Sequence, residues 1–130
     1  MITWNELKNE IIDLGFEEDD VLETDNYERI IINATNRALR RIYTSYVPLY
    51  ESRLESVPTR ELITFDTDGE YEVTVPEEFE IIVPLLSAHY VWLDDDIQKA
   101  TMYWNEVDNL LQEIGATLSK PKDCKYVGGW

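Results

Sequence analysis

Apolar residues recur along this chain at two periods, and each period predicts a different element. Leu7, Ile11 and Leu14 are spaced four and three apart, which places them on one face of a helix. Thr3 and Glu6 ahead of them form a capping box, Ile2 and Leu7 are set for a hydrophobic staple, and Gly15 gives a stop. This pattern predicts a short helix over about residues 4–14. The following FEEDDVLETD has four consecutive acids and no period, as expected of a solvated connection. A second helix starts at an Asp25 and Glu28 cap, with Tyr27, Ile31, Ala34, Ala38, Ile42 and Tyr46 on its buried face, and is expected to end before Pro48.

The period changes to two in ELITFDTDGEYEVTV. Alternation on both sides of Asp68 and Gly69 predicts a β-hairpin over about residues 61–75. An isolated hairpin is marginal in water, so this one must rest on helices or on a neighbouring chain. Helical spacing then returns at Phe79, Ile82, Val83, Leu86, Tyr90 and Leu93, behind Pro76 and a favourably placed Glu77 and Glu78. Pro84 lies inside that pattern and should kink the helix or divide it. Finally Leu93, Ile97, Ala100, Trp104, Val107, Leu111, Ile114 and Leu118 form a continuous heptad seam, expected as core packing within one chain with Trp104 as its largest member. The core is expected from the second, third and fourth helices.

Asp94, Asp95 and Asp96 stand at the start of that last helix. Adjacent residues on a helix point in different directions, so the triplet suits capping and the positive end of the dipole better than chelation. Asp66, Asp68 and Glu70 depart from a calcium loop at the later ligand positions and read as a turn. His89 has no accompanying nucleophile and reads as a hydrogen-bonded structural residue. No phosphate loop, nucleophile elbow or metal cluster is present in the sequence, so neither an enzyme nor a cofactor is expected.

Charge narrows the function further. With 27 acidic and 11 basic residues the chain carries a formal charge of -16. Binding DNA by neutralising phosphates needs the opposite balance, and an anionic membrane surface is disfavoured on the same ground. No apolar run reaches the roughly 18 residues of a membrane span, and the N-terminus lacks the features of a signal peptide, which points to synthesis in a reducing cytoplasm. The single cysteine, Cys124, is expected to be an inert thiol. Among scarce cations, Arg29, Arg37 and Arg40 share one side of the second helix, while Glu106 and Glu113 mark the outer side of the fourth. These five residues are the expected subunit interface, because opposed patches that point apart satisfy each other between copies. Residues 119–130 carry Lys120, Lys122, Lys125, Tyr126 and Trp130, a composition suited to capture by a partner.

Two stretches together resemble the head-to-tail connector, or adaptor, proteins of tailed bacteriophages. One is EYEVTVPEEFEIIVPLLSAHYVWLDDDIQKATMYWNEVDNLLQEI, with a strand, a proline-acidic helix start, an apolar helix, an acidic corner and a last helix; the other is IINATNRALRRIY. The resemblance implies a mainly α fold, a small helical bundle with two long antiparallel C-terminal helices and an inserted β-hairpin. It implies one adaptor domain over residues 1–118 and a C-terminal tail, 119–130, that docks on the portal protein. In that family the protein assembles in the neck of the virion as a ring, commonly a dodecamer, which extends the DNA channel and gives tail or stopper proteins a platform. DNA would pass such a ring without specific binding, since a carboxylate-lined conduit repels phosphates. The rival reading is an acidic DNA mimic that inhibits a nucleic-acid-binding enzyme, against which the arginine face and the basic tail both argue.

Overall fold

The computed structural model describes residues 2–16 and 24–118, with side chains over 2–16 and 27–115. Its order is β1 (Ile2–Thr3), α1 (Trp4–Gly15), α2 (Thr24–Ser52), β2 (Glu72–Val73), a 3-10 turn (Glu77–Phe79), α3 (Ile82–Trp92) and α4 (Ile97–Leu118). The fold is mainly α, a small helical bundle with a two-stranded antiparallel sheet. No described helix is long and apolar enough to cross a membrane.

The first turn of α1 is built as its sequence requires. The Glu6 N–H donates to Thr3 Oγ1 at 3.2 Å, and the Thr3 N–H donates back to Glu6 Oε1 at 3.0 Å. At the other end Gly15 remains helical as the last residue of α1. Its lack of a side chain allows close packing, since a Cβ there would sit 3.4 Å from Val91 on α3. The Leu14 carbonyl, one of the orphan acceptors of a helix end, takes hydrogen bonds from Trp92 Nε1 at 2.9 Å and from the Tyr103 hydroxyl at 3.1 Å.

Helix α2 does not end before Pro48. It continues to Ser52, because burial of Tyr46 and Leu49 offsets the roughly 3 kcal/mol that an interior proline costs. What ends it is Leu54, in a left-handed conformation with φ 56°. The Glu55 N–H bonds the Tyr50 carbonyl at 2.9 Å and the Leu54 N–H bonds that of Glu51 at 3.1 Å, the two bonds of a Schellman cap.

The expected hairpin is also re-partnered. β2 pairs with β1, Ile2 opposite Val73 and Thr3 opposite Glu72, and the contact continues through the Trp4 N–H to the Tyr71 carbonyl at 2.8 Å. The segment around Ile63 stays outside this sheet because side chains satisfy its backbone. Asn36 Nδ2 donates to the Ile63 carbonyl and the Ile63 N–H donates to Asn36 Oδ1, both at 2.8 Å. The Thr74 N–H that a hairpin partner would engage donates instead to the Glu61 carboxylate at 3.2 Å.

Pro84 divides rather than kinks its segment. The 3-10 turn ends at Phe79 and α3 begins afresh at Ile82, leaving Pro84 in the first turn, where its missing N–H has no intrahelical role. Helix α3 is the centre of the bundle, with α1, α2 and α4 packed around it, so every side chain from Ile82 to Ala88 is buried. The core therefore includes α1, through Trp4, Leu7 and Ile11, beyond the three helices expected.

After the corner at residues 93–96, α4 returns antiparallel to α3. Asp96 starts it, accepting from the N–H groups of Gln98 at 3.1 Å and Lys99 at 3.2 Å. The seam is only partly a core. Ala100 and Val107 are fully buried, Trp104, Leu111 and Ile114 are half-buried, and Ile97 is 62% exposed. The reason is that α4 lies on the outside of α3 and has one packed side, beginning where His89 Nδ1 meets the Ala100 carbonyl at 2.7 Å.

Candidate functional site: an arginine and aromatic face

Residues three and four apart on a helix are neighbours, so Arg37, Arg40, Arg41 and Thr44 form one patch on α2. Two of these arginines rest on rings from the other helices. The Arg37 guanidinium lies 4.2 Å from the centre of the Tyr90 ring on α3, and that of Arg41 lies 5.3 Å from the Trp104 ring on α4. Each such contact contributes roughly 0.5–1 kcal/mol at an exposed site. Between the two rings stands His89, 5.0 Å from Tyr90 and 5.6 Å from Trp104. The result is a continuous ladder, Arg37, Tyr90, His89, Trp104, Arg41, that leaves α2, crosses α3 and α4 and returns to α2.

His89 fixes the middle of this ladder. A carbonyl can only accept, so its Nδ1 carries the proton shared with the Ala100 oxygen, and the ring is held in place. The flanking guanidiniums are thereby steadied on aromatic faces. An arginine so held keeps a planar fork of donors, which matches a carboxylate in a two-bond geometry that lysine cannot offer.

Two shallow clefts open along this face. One of about 320 Å³ is lined by Arg37, Arg40, Arg41, Thr44 and Tyr90. The other, about 310 Å³, shares Arg37 and Tyr90 and adds Ile30, Asn33, Ala34 and Val91 with Asp94 and Asp95 at the acidic corner. Among the described residues no carboxylate lies within 4 Å of Arg37, Arg40 or Arg41; the ion pairs seen join Lys8 to Glu28 and Arg53 to Glu78. In a chain of charge -16 an unmatched cationic patch is a departure from the overall balance.

Of the expected interface residues, Arg37 and Arg40 are brought together here. Arg29 lies further toward the start of α2 and is already engaged within the chain. Glu106 and Glu113 are exposed two turns apart on α4; Glu113 borders a separate cleft of about 210 Å³ with Leu49, Glu78 and Ile114. Lys120, Lys122, Lys125, Tyr126 and Trp130 lie outside the described residues, as do Cys124 and the acidic run after Phe16. In the aspartate triplet, Asp96 caps α4 while Asp94 and Asp95 border the second cleft, and no group of three histidine, cysteine, aspartate or glutamate side chains is placed to hold a metal among the described residues.

Sequence reasoning missed Arg41, Thr44 and Tyr90. Arg41 was legible from its spacing of four from Arg37, whereas the ring beneath each arginine depends on how α3 and α4 pack. Comparison with protein-family models, with curated proteins and with solved structures finds no match for this chain.

Proposed function

We propose that this chain is a structural virion protein, a head-to-tail adaptor whose copies form a ring beneath a phage portal. The ring extends the DNA channel and gives tail or stopper proteins a platform. The observation that carries this reading is the cationic face of α2, which has no carboxylate partner among the described residues of an otherwise acidic molecule. Opposed patches on different sides of one subunit are satisfied by head-to-tail contacts, and such contacts close into a ring when the rotation divides a full turn. The mainly α bundle ending in an antiparallel helix pair accords with the reading. The carboxylate excess would suit a conduit through which DNA slides without sticking.

Closure on a portal template offsets the mutual repulsion of subunits that each carry a large negative charge. The basic and aromatic tail, Lys120 to Trp130, would make that template contact. The test is incorporation. Purified chain mixed with portal-bearing particles should add a ring of density visible by electron microscopy. Arg37→Glu with Arg40→Glu should leave the fold intact and abolish incorporation, with packaged DNA lost from heads that cannot accept tails. Normal assembly of that double variant at physiological salt would overturn the interface. Inhibition of a nucleic-acid enzyme by the chain, with no uptake into particles, would mark a DNA mimic instead.

A further inference from the structure

The turn from Phe65 to Glu72 is the chemical complement of the arginine face. Asp66, Asp68, Glu70 and Glu72 are all exposed within it, flanked by Phe65 at 59% and Tyr71 at 43% exposure. The turn is rigidly held. The Glu70 N–H bonds Asp68 Oδ1 at 2.9 Å, the Thr64 N–H bonds Thr67 Oγ1 at 2.9 Å, and the Tyr71 hydroxyl bonds Glu61 at 2.6 Å. A preformed turn loses little entropy on binding, which favours a recognition role. It is tied to the start of α1 by the Asn5 N–H to the Gly69 carbonyl at 2.9 Å, and none of its four carboxylates lies within 4 Å of a basic group among the described residues.

We propose that the cleft of Arg37, Arg40, Arg41 and Tyr90 is the receptor for the Phe65–Glu72 turn of a second copy of this chain. Opposite charge is the first argument. Apolar fit is the second: beyond Tyr90 the joined clefts present Ile30, Ala34 and Val91, a surface suited to the exposed Phe65 ring. Direction follows from Asp94 and Asp95, which repel carboxylates at that end and leave the arginine end for Asp66 and Glu70. The contact is heterologous, since receptor and turn are different surfaces. It rests on the reading above only in requiring that copies associate head to tail.

A pair of variants tests it without any virion component. Arg40→Glu with Arg41→Glu disables the receptor, and Asp66→Lys with Glu70→Lys disables the turn; circular dichroism checks that both fold. In sedimentation velocity over a concentration series at about 50 mM salt, the native chain should associate, and high salt should reverse this. Each variant alone should associate at least about tenfold more weakly. Their mixture should associate again, because the intact turn of one variant meets the intact receptor of the other and the two reversed surfaces are also complementary. All four substitutions in one chain should restore association by reversed charge. A native chain that stays monomeric, a mixture that does not pair, or loss caused by Glu106→Lys with Glu113→Lys instead would overturn the proposal. Success here with failure to enter particles would refute the adaptor reading alone, and the reverse outcome would show that a ring uses another contact.

Discussion

Asn36 is the residue on which the long connection between α2 and β2 depends, and replacing it gives a quantitative test. Its amide both donates to and accepts from the Ile63 backbone at 2.8 Å, in the way a neighbouring strand would, and Ile63 is 1% exposed. Asn36→Ala leaves one N–H and one carbonyl without partners, each worth about 1–3 kcal/mol when fully buried. Asn36 is itself half-buried, so water recovers part of this, and alanine gains up to about 0.7 kcal/mol in helix propensity. The net loss should be about 2 kcal/mol. With a urea slope of about 1–3 kcal/mol/M for a small protein, the unfolding midpoint should fall by about 1 M. Asn36→Asp adds a pH test. The carboxylate still accepts from the Ile63 N–H but has nothing to donate to its carbonyl until protonated, so its folded pKa lies above the unfolded value of about 3.9. Stability should then be fully present below about pH 4 and lost as pH rises through the folded pKa. A midpoint moved by less than about 0.3 M, or an Asn36→Asp variant insensitive to pH, would refute this account of the connection.

Leu54→Gly should stabilise the protein by about 1 kcal/mol in the same assay, because a leucine 95% exposed at positive φ bears left-handed strain and buries almost nothing in return. Asp96→Ala should cost about 1 kcal/mol through the lost cap of α4, while Asp96→Asn stays near neutral. Magnesium, manganese or calcium should not move the melting temperature, and a stabilisation removed by Asp94→Asn, Asp95→Asn and Asp96→Asn together would revive a metal site. Burial, reinforced by Tyr43 and Tyr50, pushes the Tyr46 hydroxyl up to about 12. Its neutral form is favoured in the fold, so this contribution is complete below the unfolded value of about 10 and is lost as pH rises toward 12. Thermal melts should weaken across that window. Tyr46→Phe should flatten the decline and, since the hydroxyl has no partner among the described residues, cost nothing at neutral pH.

The sequence by itself determined the features whose partners lie within one or two turns. The Thr3 and Glu6 capping box, an aspartate start for α4 and the apolar faces of α1 and α2 are local chemistry, and the structure retains each, with Asp96 as the aspartate that caps. Even Pro84 acted locally, confining α3 to a start where no N–H is needed. Tertiary structure decided whatever required a distant competitor. Alternation around Asp68 and Gly69 specified extended chain but not its neighbour, and Asn36, Glu61 and β1 claimed the backbone groups that a hairpin would have paired. Pro48 signalled an end that burial of Leu49 overrode, and Ile97 continued a heptad that no neighbouring helix covered. The arginine face divides the same way. Helical spacing places Arg37, Arg40 and Arg41 together, but Tyr90 and Trp104 reach them only because α3 sits at the centre of the bundle and α4 folds back along it, a packing set by contacts between residues far apart in the chain.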